Sequence, residues 1–557
     1  MNCEKLRKRY LALKGERSSS DLEGAWDDIE KYVRPFSGSM YQSYNTENEN
    51  RWKRSEIYNS TAVIAADSLA ASIQGLLVNP ADKWFETTYR IEELNRDDAA
   101  KEYLELSDDA VYQALTQSNF DVKAAEFFLD IVTYGTAIVV EEPRSEDVWM
   151  GLDFNTIPVR DIYYETDADG EIIYLFRRLM WTPLQIMEKF ADENGNGVPD
   201  HVKEKAAAGD VQEKMEVVFS VYPRKGKVDT GEITNPEDRP WGKKYFMLQG
   251  AELLGEEGGY YEMPAFAALW KSVSTSKWGR SPAMDVLADI LNVNEWQKIQ
   301  RNAAAKSVDP SILVTDRGLL SDLDLSPGGM TVTSKKDAVT VLESGSRLDF
   351  SMEEIRNMEE NINQAFMQDR LALKESPAMT ATEVAARREF MMRSITQPLA
   401  ILQRNFLDRM IRRTYRILYR AGQLPEVPDI VRQSNSETDI HYNGPLPRTQ
   451  KAQVVQSEMQ YLQYVMSLKE LDPEVDDLID KDAMLKNIAI NLGVPALDLR
   501  SEEEVAKIRR ERAAAMQQQA ELERVQQTGA AMEQLARGTN AVEQVPATQS
   551  AIGALQQ

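Results

Sequence analysis

The stretch SPAMDVLADILNVNEWQKIQRNAAAK, residues 281–306, decides how the chain is organised. It has proline in its first turn and about seven turns of uninterrupted helical sequence, so it predicts a long helix. A second stretch, SMEEIRNMEENINQAFMQDRL at 351–371, predicts another helix with a narrow apolar stripe. The stripe consists of Met352, Ile355, Met358, Ile362 and Phe366. Only a short strand-and-turn insert at 310–345 joins the two helices.

The sequence before these helices predicts further helices and then strands. Ser20 and Glu23 have the spacing of a capping box, which predicts a helix beginning after Ser20. Helical spacing continues over 55–78 and 97–135. Short β-branched or aromatic runs, which predict strands, lie at 136–142, 148–154, 171–179, 215–225 and 243–256. The fold class is therefore α+β, mainly helical.

The sequence after residue 371 predicts a loop and a second long helical region. LALKESPAMT interrupts the helical pattern, and Thr380 with Glu383 has capping-box spacing, so helix resumes and continues to about residue 421. Pro398 lies inside this helix and should kink or break it. Helical sequence follows at 447–492, and an Ala/Gln-rich tail at 513–557 is expected to be partly disordered.

Composition limits the classes of function. The 557 residues carry 65 basic and 90 acidic side chains, a net charge of −25. Such a balance argues against a protein that grips nucleic acid over a broad basic surface. Cys3 is the only cysteine, so we expect no disulfide and a reducing compartment. We found no export signal or membrane span, and we expect a soluble intracellular protein.

Motifs for catalysis, cofactors or metals are scarce. P-loop, GxGxxG, GxSxG and HExxH patterns are absent, and we predict no catalytic residue, no metal site and no cofactor. His201 and His441, the only histidines, are expected to be ordinary surface residues. Asp192 to Asp200 resembles the start of a calcium loop but has Lys203 at the position of the last ligand, so an Asx/Gly turn explains it equally well.

One helix has a charge opposite to that of the protein. Between residues 382 and 420, nine arginines stand against three acidic residues, a balance of +6. Arg409, Arg412, Arg413 and Arg416 share one helical face. This face either contacts DNA phosphates or, as we favour, lies at a subunit interface where the guanidinium groups pair with carboxylates.

The order of these elements resembles that of a known family. SPAMTATEVAARREFMMRS, the preceding MEENINQAFMQDRL, and the upstream KWGRSPAMDVLADI and NSTAVIAADSLAASIQGLLVNPADKWF resemble the head-to-tail connector (portal) proteins of short-tailed bacteriophages. The resemblance extends to about residue 500. It implies a dodecameric ring at one capsid vertex, assembled in the host cytoplasm, with a channel for double-stranded DNA. It also implies that terminase, tail adaptor or tail tube, major capsid and scaffolding proteins are partners.

The resemblance also implies a division of the chain into named regions. These are a wing (1–280), two stem helices (281–306 and 351–371) separated by a clip (307–350), a tunnel loop (372–381), a kinked long helix with the rest of the wing (382–446), a crown (447–512) and the tail (513–557). The tunnel-loop residues expected to face DNA are Leu373, Lys374, Glu375, Ser376, Met379 and Thr380. In the clip, Lys335 and Lys336 are either transient phosphate contacts or solvated lysines. The alternatives to a portal are a metal-dependent nucleic-acid enzyme and a non-ring adaptor or scaffold protein.

Overall fold

The fold is known from a computed structural model of the whole chain. The structure describes residues 1–35, 56–80, 83–145, 148–168, 170–192, 196–209, 213–227, 235–273, 276–314, 319, 321–324, 330–334, 339–341, 348–368, 395–434, 437–442, 445–469, 480–492, 500 and 504–520. All statements below concern these residues.

The described helices extend along the whole chain. They are α1 (Cys3–Ser18), α2 (Leu22–Tyr32), α3 (Thr61–Leu77), α4 (Asp98–Thr116), α5 (Phe120–Tyr134), α6 (Pro183–Phe190), α7 (Asp200–Ala207), α8 (Pro282–Asp285), α9 (Leu287–Val308), α10 (Leu348–Ala365), α11 (Asp408–Arg420), α12 (Asp429–Ser434), α13 (Pro445–Lys469) and α14 (Lys481–Leu492). Residues 395–402 and 504–520 are also helical.

The described strands form five antiparallel sheets. The strands are β1 (Phe85–Tyr89), β2 (Thr136–Pro143), β3 (Leu152–Ile157), β4 (Ile162–Thr166), β5 (Ile172–Trp181), β6 (Met215–Pro223), β7 (Trp241–Met247), β8 (Leu253–Tyr260), β9 (Ala265–Leu269), β10 (Lys271–Val273), β11 (Ser276–Arg280), β12 (Ile312–Val314), β13 (Val339–Val341) and β14 (Thr438–Tyr442). Their orders are β3-β2-β9, β4-β5-β6-β7-β8, β1-β14, β10-β11 and β12-β13. The predicted α+β class is confirmed.

The chain divides into two compact units. The first comprises Met1–Arg90 with Tyr103–Thr449, and the second comprises Ile91–Glu102 with Gln450–Gln557. In the second unit, Arg509 donates to both carboxylate oxygens of Asp482, at 2.5 and 2.7 Å. The first unit contains every strand and the main hydrophobic core among the described residues.

The main core lies where α3 and α5 pack on each other and α5 packs on the sheet β3-β2-β9. Helix α3 is rich in alanine on its buried face, which lets the two helix backbones approach closely. At the end of α5, Gly135 adopts φ +78° and ends the helix. A Cβ atom at Gly135 would lie 2.6 Å from the carbonyl oxygen of Gly279, so this position requires glycine.

A second core lies between α1 and the five-stranded sheet. Tyr10 packs edge-on against Tyr163 and donates to Glu216 at 2.8 Å. The buried Arg17 donates to three backbone carbonyls, those of Val159, Arg160 and Ile162, at 2.8–3.0 Å. The guanidinium group therefore fixes the C-terminal end of α1 to the loop that leads into β4.

The predicted capping box at Ser20 and Glu23 is wrong. Helix α2 begins at Leu22, and its N-cap residue makes no side-chain capping bond. Ser20 Oγ donates instead to the carbonyl of Arg17 at 2.6 Å, and Glu23 accepts from Arg17 Nε at 2.7 Å. The buried guanidinium needs a carboxylate partner, and this requirement outweighs a backbone capping bond.

The other local predictions are mostly confirmed, with shifted bounds. The strand predicted at 148–154 lies at Leu152–Ile157, and the run at 243–256 is a hairpin of two strands. The strand Ile162–Thr166 was not predicted. The helix predicted at 281–306 is observed as α8 and α9.

The prediction that Pro398 kinks or breaks the long helix is only partly testable, since residues 369–394 lie outside the described part. Residues 395–402 are helical, so the helix is not broken at Pro398. The irregularity follows instead at Gln403–Leu407, which forms a π-helical turn before α11. This wider turn changes the hydrogen-bond register of the helix five residues after the proline.

Candidate assembly surfaces

Helices α9 and α10 form an antiparallel pair, called the helix pair below, that is buried at one end only. The buried residues are Ile290, Val293 and Asn294 on α9, Ile355, Met358 and Ile362 on α10, and Phe366 directly after α10. The predicted stripe on α10 is thus confirmed for four of its five members. The fifth, Met352, is 48% exposed because it lies at the end that leaves the core.

A polar cluster anchors the buried end of the helix pair. Asn294 Oδ1 accepts from the backbone N–H of Tyr58 at 2.7 Å, and its Nδ2 donates to the carbonyl of Glu56 at 3.0 Å. Glu359 Oε1 accepts from Asn59 Nδ2 at 2.7 Å and from Gln297 Nε2 at 3.4 Å. These bonds satisfy buried polar groups and hold both helices to the segment that precedes α3.

The other end of the helix pair is exposed, together with the segment that joins the helices. Strands β12 and β13 pair only with each other, through three residue pairs, and a two-stranded sheet of this size is marginally stable alone. Eight large apolar side chains in this region are exposed: Ile299, Val308, Leu313, Leu323, Met330, Val332, Val341 and Met352. Such a concentration marks an interaction surface rather than scattered surface residues.

Several predicted site residues cannot be placed. The tunnel-loop residues and the clip lysines Lys335 and Lys336 all lie outside the described residues. The assignments of the loop and of the clip lysines therefore stay predictions.

The arginine face of α11 can be placed, and most of it pairs within the chain. Arg413 is buried, and its guanidinium donates to the carbonyls of Glu141 at 3.3 Å and of Glu262 at 3.2 Å. Arg416 pairs with the Glu262 carboxylate at 2.7 Å, and Arg420 with the same group at 3.5 Å. These five residues, called the arginine cluster below, connect α11 to β2 and to the loop before β9.

Glu141 is the least exposed member of the arginine cluster. Its Oε1 accepts from Thr414 Oγ1 at 2.8 Å, whereas its buried Oε2 has no hydrogen-bond partner and lies 3.9 Å from Arg413 Nε. Burial raises the pKa of Glu141 to about 8, because Arg413 and Thr414 offset only part of the desolvation and Glu262 adds to it. Burial therefore favours the protonated form of Glu141, and the shortest ion pair of the cluster joins Arg416 to Glu262 instead.

The remaining arginines of this face differ in exposure. Arg409 pairs with Glu171, which directly precedes β5. Arg412 is exposed and has no ion-pair partner among the described residues. Arg413 is buried within its own subunit, so its hydrogen bonds stabilise the fold of that subunit. Whether Arg409, Arg412 and Arg416 also contact a neighbouring subunit is not tested by a single chain and stays a prediction.

The opposite side of the long helix is held by aromatic packing. Phe406, in the π-helical turn, is almost fully buried, and its ring centroid lies 4.2 Å from that of Phe127. Tyr442 of β14 donates to Asp408 and stacks on Trp84 at 6.3 Å. The C-terminal part of unit 1 is thereby tied to its N-terminal helices.

Sequence reasoning missed Glu141 and Glu262, the two carboxylates on which the arginine cluster depends. Glu141 lies in the run TAIVVEE, where a charged residue in an otherwise apolar strand is a signal of a buried partner. Glu262 carried no such signal, since it follows two tyrosines in a loop.

Other predicted features gave no site. No group of metal-ligating side chains occurs among the described residues, and Asp192 Oδ1 accepts from the backbone N–H of Asn196 at 2.6 Å. His201 and His441 are exposed. Within the described ranges, no helix is both long and apolar enough to cross a bilayer.

Comparison with known proteins identifies the family of the chain. Residues 3–499 match the family described as bacteriophage head to tail connecting protein. The chain belongs to this family. It is 24% identical over 518 residues to a protein named probable portal protein from Bordetella phage BPP-1, covering 91% of this chain and 90% of the relative.

A second relative points the same way. The chain is 23% identical over 520 residues to a protein named portal protein from Salmonella phage epsilon15, covering 92% of this chain and 91% of the relative. This head-to-tail connecting protein is therefore a structural component of a phage virion, not an enzyme.

Proposed function

We propose that the protein is a portal subunit, twelve copies of which form a ring at one capsid vertex. The ring is the channel through which double-stranded DNA is packaged and ejected, and it is the docking platform for terminase and tail proteins. The observation that carries this proposal is the exposed end of the helix pair, whose eight exposed apolar side chains need a partner surface. Cyclic assembly of identical subunits supplies one through contacts that close on themselves.

The charge of the subunit supports passage of DNA rather than tight binding. A net charge of −25 disfavours the release of counterions from phosphates, which drives nucleic-acid affinity. The largest excess of arginine, on α11, is largely neutralised inside the subunit by Glu262 and Glu171. A channel with this balance lets DNA slide without trapping it.

The regions of the subunit follow from the order of its elements. In this proposal α8 and α9 form the first stem helix and α10 the second, with the clip at 307–350 between them. The tunnel loop is 372–381, with Lys374 as its one cation, and the long helix ends in α11. Residues 1–280 with the rest of 382–446 form the wing, and 447–512 form the crown. Lys335 and Lys336 of the clip are transient contacts for DNA phosphates, and the clip as a whole is the docking region for terminase and tail proteins.

The test is the assembly state of the purified protein. Negative-stain electron microscopy and mass photometry are expected to show rings of about twelve subunits with a central hole. Uniform monomers at high concentration would instead indicate a non-ring adaptor. A DNA-cleavage assay with magnesium or manganese, run beside it, is expected to show no activity, and metal-dependent cleavage would indicate the nuclease alternative.

A further inference from the structure

The two helices of the helix pair carry opposite charge at their exposed end. From Trp296 to Val308, α9 has Lys298, Arg301 and Lys306 and no acidic residue. At its exposed end, from Leu348 to Arg356, α10 has Asp349, Glu353 and Glu354 against Arg356. The local balances are therefore +3 and −2.

These charges are not neutralised within the subunit. Among the described residues, Lys298 has only a 3.8 Å contact with Glu295 on its own helix, and Lys306 has no ion-pair partner. Glu353 and Glu354 are exposed and have none either. The polar bonds between the two helices run through amide side chains instead, from Gln297 and Asn361. Two adjacent helices of opposite charge thus leave their charges facing outward.

The basic residues of α9 and the acidic residues of α10 lie at matching heights along the axis of the helix pair. Gln297 bonds to Glu359, and Asn361 bonds to Asp289 at 3.5 Å, which fixes the antiparallel register to within a few residues. Counting one residue back on α10 for each residue forward on α9 places Lys298 and Arg301 at the level of Glu353 and Glu354. In a cyclic ring every residue keeps its height from one subunit to the next. The basic end of α9 in one copy therefore lies at the same height as the acidic end of α10 in the next.

We propose that the partner of the exposed end of the helix pair is a second copy of this chain, bound head to tail, with Lys298 and Arg301 of α9 facing Glu353 and Glu354 of the neighbouring α10. This inference rests on the proposed ring and adds the faces that join its subunits. The exposed apolar residues Ile299 and Met352 flank the charged residues and are covered by the same contact. The opposite charges fix the direction of assembly, since two α9 ends or two α10 ends repel each other.

Charge-reversed variants of the full-length chain test the contact. Variant A is Lys298→Glu with Lys306→Glu, and variant B is Glu353→Lys with Glu354→Lys. Arg301 is left unchanged because it also donates to the carbonyl of Tyr58 at 3.1 Å. Each variant alone is expected to raise the subunit concentration at half-assembly severalfold, because A makes the Lys298 contact repulsive and adds acidic charge at Lys306, whereas B makes both glutamate contacts repulsive. Mass photometry over a dilution series measures this.

Mixing the two variants gives the decisive result. In an alternating ring, the acidic α9 of A faces the basic α10 of B, and the basic α9 of B faces the acidic α10 of A. Because Arg301 stays basic in A, an equimolar mixture is expected to form rings at a lower concentration than either variant alone, with equal numbers of A and B by native mass spectrometry. The control variant, Lys5→Glu with Lys8→Glu on the exposed face of α1, makes the same change of charge and should assemble as the wild type does.

The outcomes separate this inference from the proposed function. Wild-type rings with A and B that also assemble normally would overturn the inference and leave the portal ring intact. If each variant alone assembles poorly and the mixture of A and B assembles no better, the inference is overturned as well. A wild-type protein that forms no ring would refute the proposed function itself.

Discussion

Replacing Glu141 by glutamine tests the electrostatics of the arginine cluster most directly. The glutamine keeps the size of the side chain and the oxygen that accepts from Thr414, and it removes the ionisable group. Because the buried Oε2 has no hydrogen-bond partner, an amide in its place breaks no hydrogen bond of the described structure. The variant should fold and keep the contacts of Arg413 with the backbone carbonyls.

The magnitude follows from the pKa of Glu141, which burial raises from 4.5 to about 8. A carboxyl group with a raised native pKa holds its proton more tightly in the folded state. Its contribution to stability is complete below pH 4.5 and is lost as the pH rises through 8. The difference of 3.5 pKa units corresponds to about 5 kcal/mol across this range, at about 1.36 kcal/mol per unit. The Glu141→Gln variant has no ionisable group at this position, so it does not lose this stability as the pH rises.

The assay is urea unfolding of wild type and variant at several values between about pH 5 and 8.5, followed by tryptophan fluorescence. We expect the variant to gain stability relative to wild type as the pH rises, by several kcal/mol between the two limits. Glu142→Gln is the matched control. Burial alone would raise the pKa of Glu142, but Lys243 and Tyr260 lower it. The contribution of Glu142 to the free energy of unfolding is therefore constant in this pH range. Equal pH slopes for wild type and Glu141→Gln would refute the reasoning.

Four further changes have defined outcomes. Phe406→Ala removes a buried ring packed on Phe127 and should cost about 3–5 kcal/mol, seen as a lower urea midpoint; an unchanged midpoint contradicts the packing. Gly135→Ala should lower the melting temperature, because the new Cβ would lie 2.6 Å from a carbonyl oxygen; a neutral result would show that the turn relaxes. Arg412→Glu should weaken ring assembly in mass photometry without changing the subunit's melting temperature, and normal ring yield would return this arginine to a DNA-facing role. Deleting 372–381 should preserve rings but impair DNA packaging in an in vitro packaging assay, and normal packaging would remove the tunnel-loop assignment.

Long, strongly periodic segments were predictable because local rules suffice for them. Proline at the start of α8 and the threefold and fourfold spacing of apolar residues on α10 predicted both helices of the helix pair and the buried stripe. The tight alternation of strands and turns between residues 136 and 260 likewise predicted most strands of the two larger sheets.

Short or competing signals failed for a physical reason. The Ser20 and Glu23 pattern is a valid capping box locally, but the buried Arg17 takes Glu23 as its partner. Arg17 looks in sequence like one more basic residue of a charged helix, and only its burial reveals this demand. The π-helical turn after Pro398 also has no sequence rule strong enough to predict it.

The sequence by itself determined the order of elements, the fold class and the family, since periodicity, caps and turn residues act within a few positions of each other. It also showed that one helix is rich in arginine. Only the tertiary structure decided where those charges go. Arg413 meets Glu141 and Glu262, residues more than 150 positions away, and is enclosed in the subunit, whereas the exposed Arg416 pairs with Glu262 at the surface. Among the described residues of the helix pair, Lys306, Glu353 and Glu354 have no ion-pair partner, since the polar bonds between its two helices run through amide side chains.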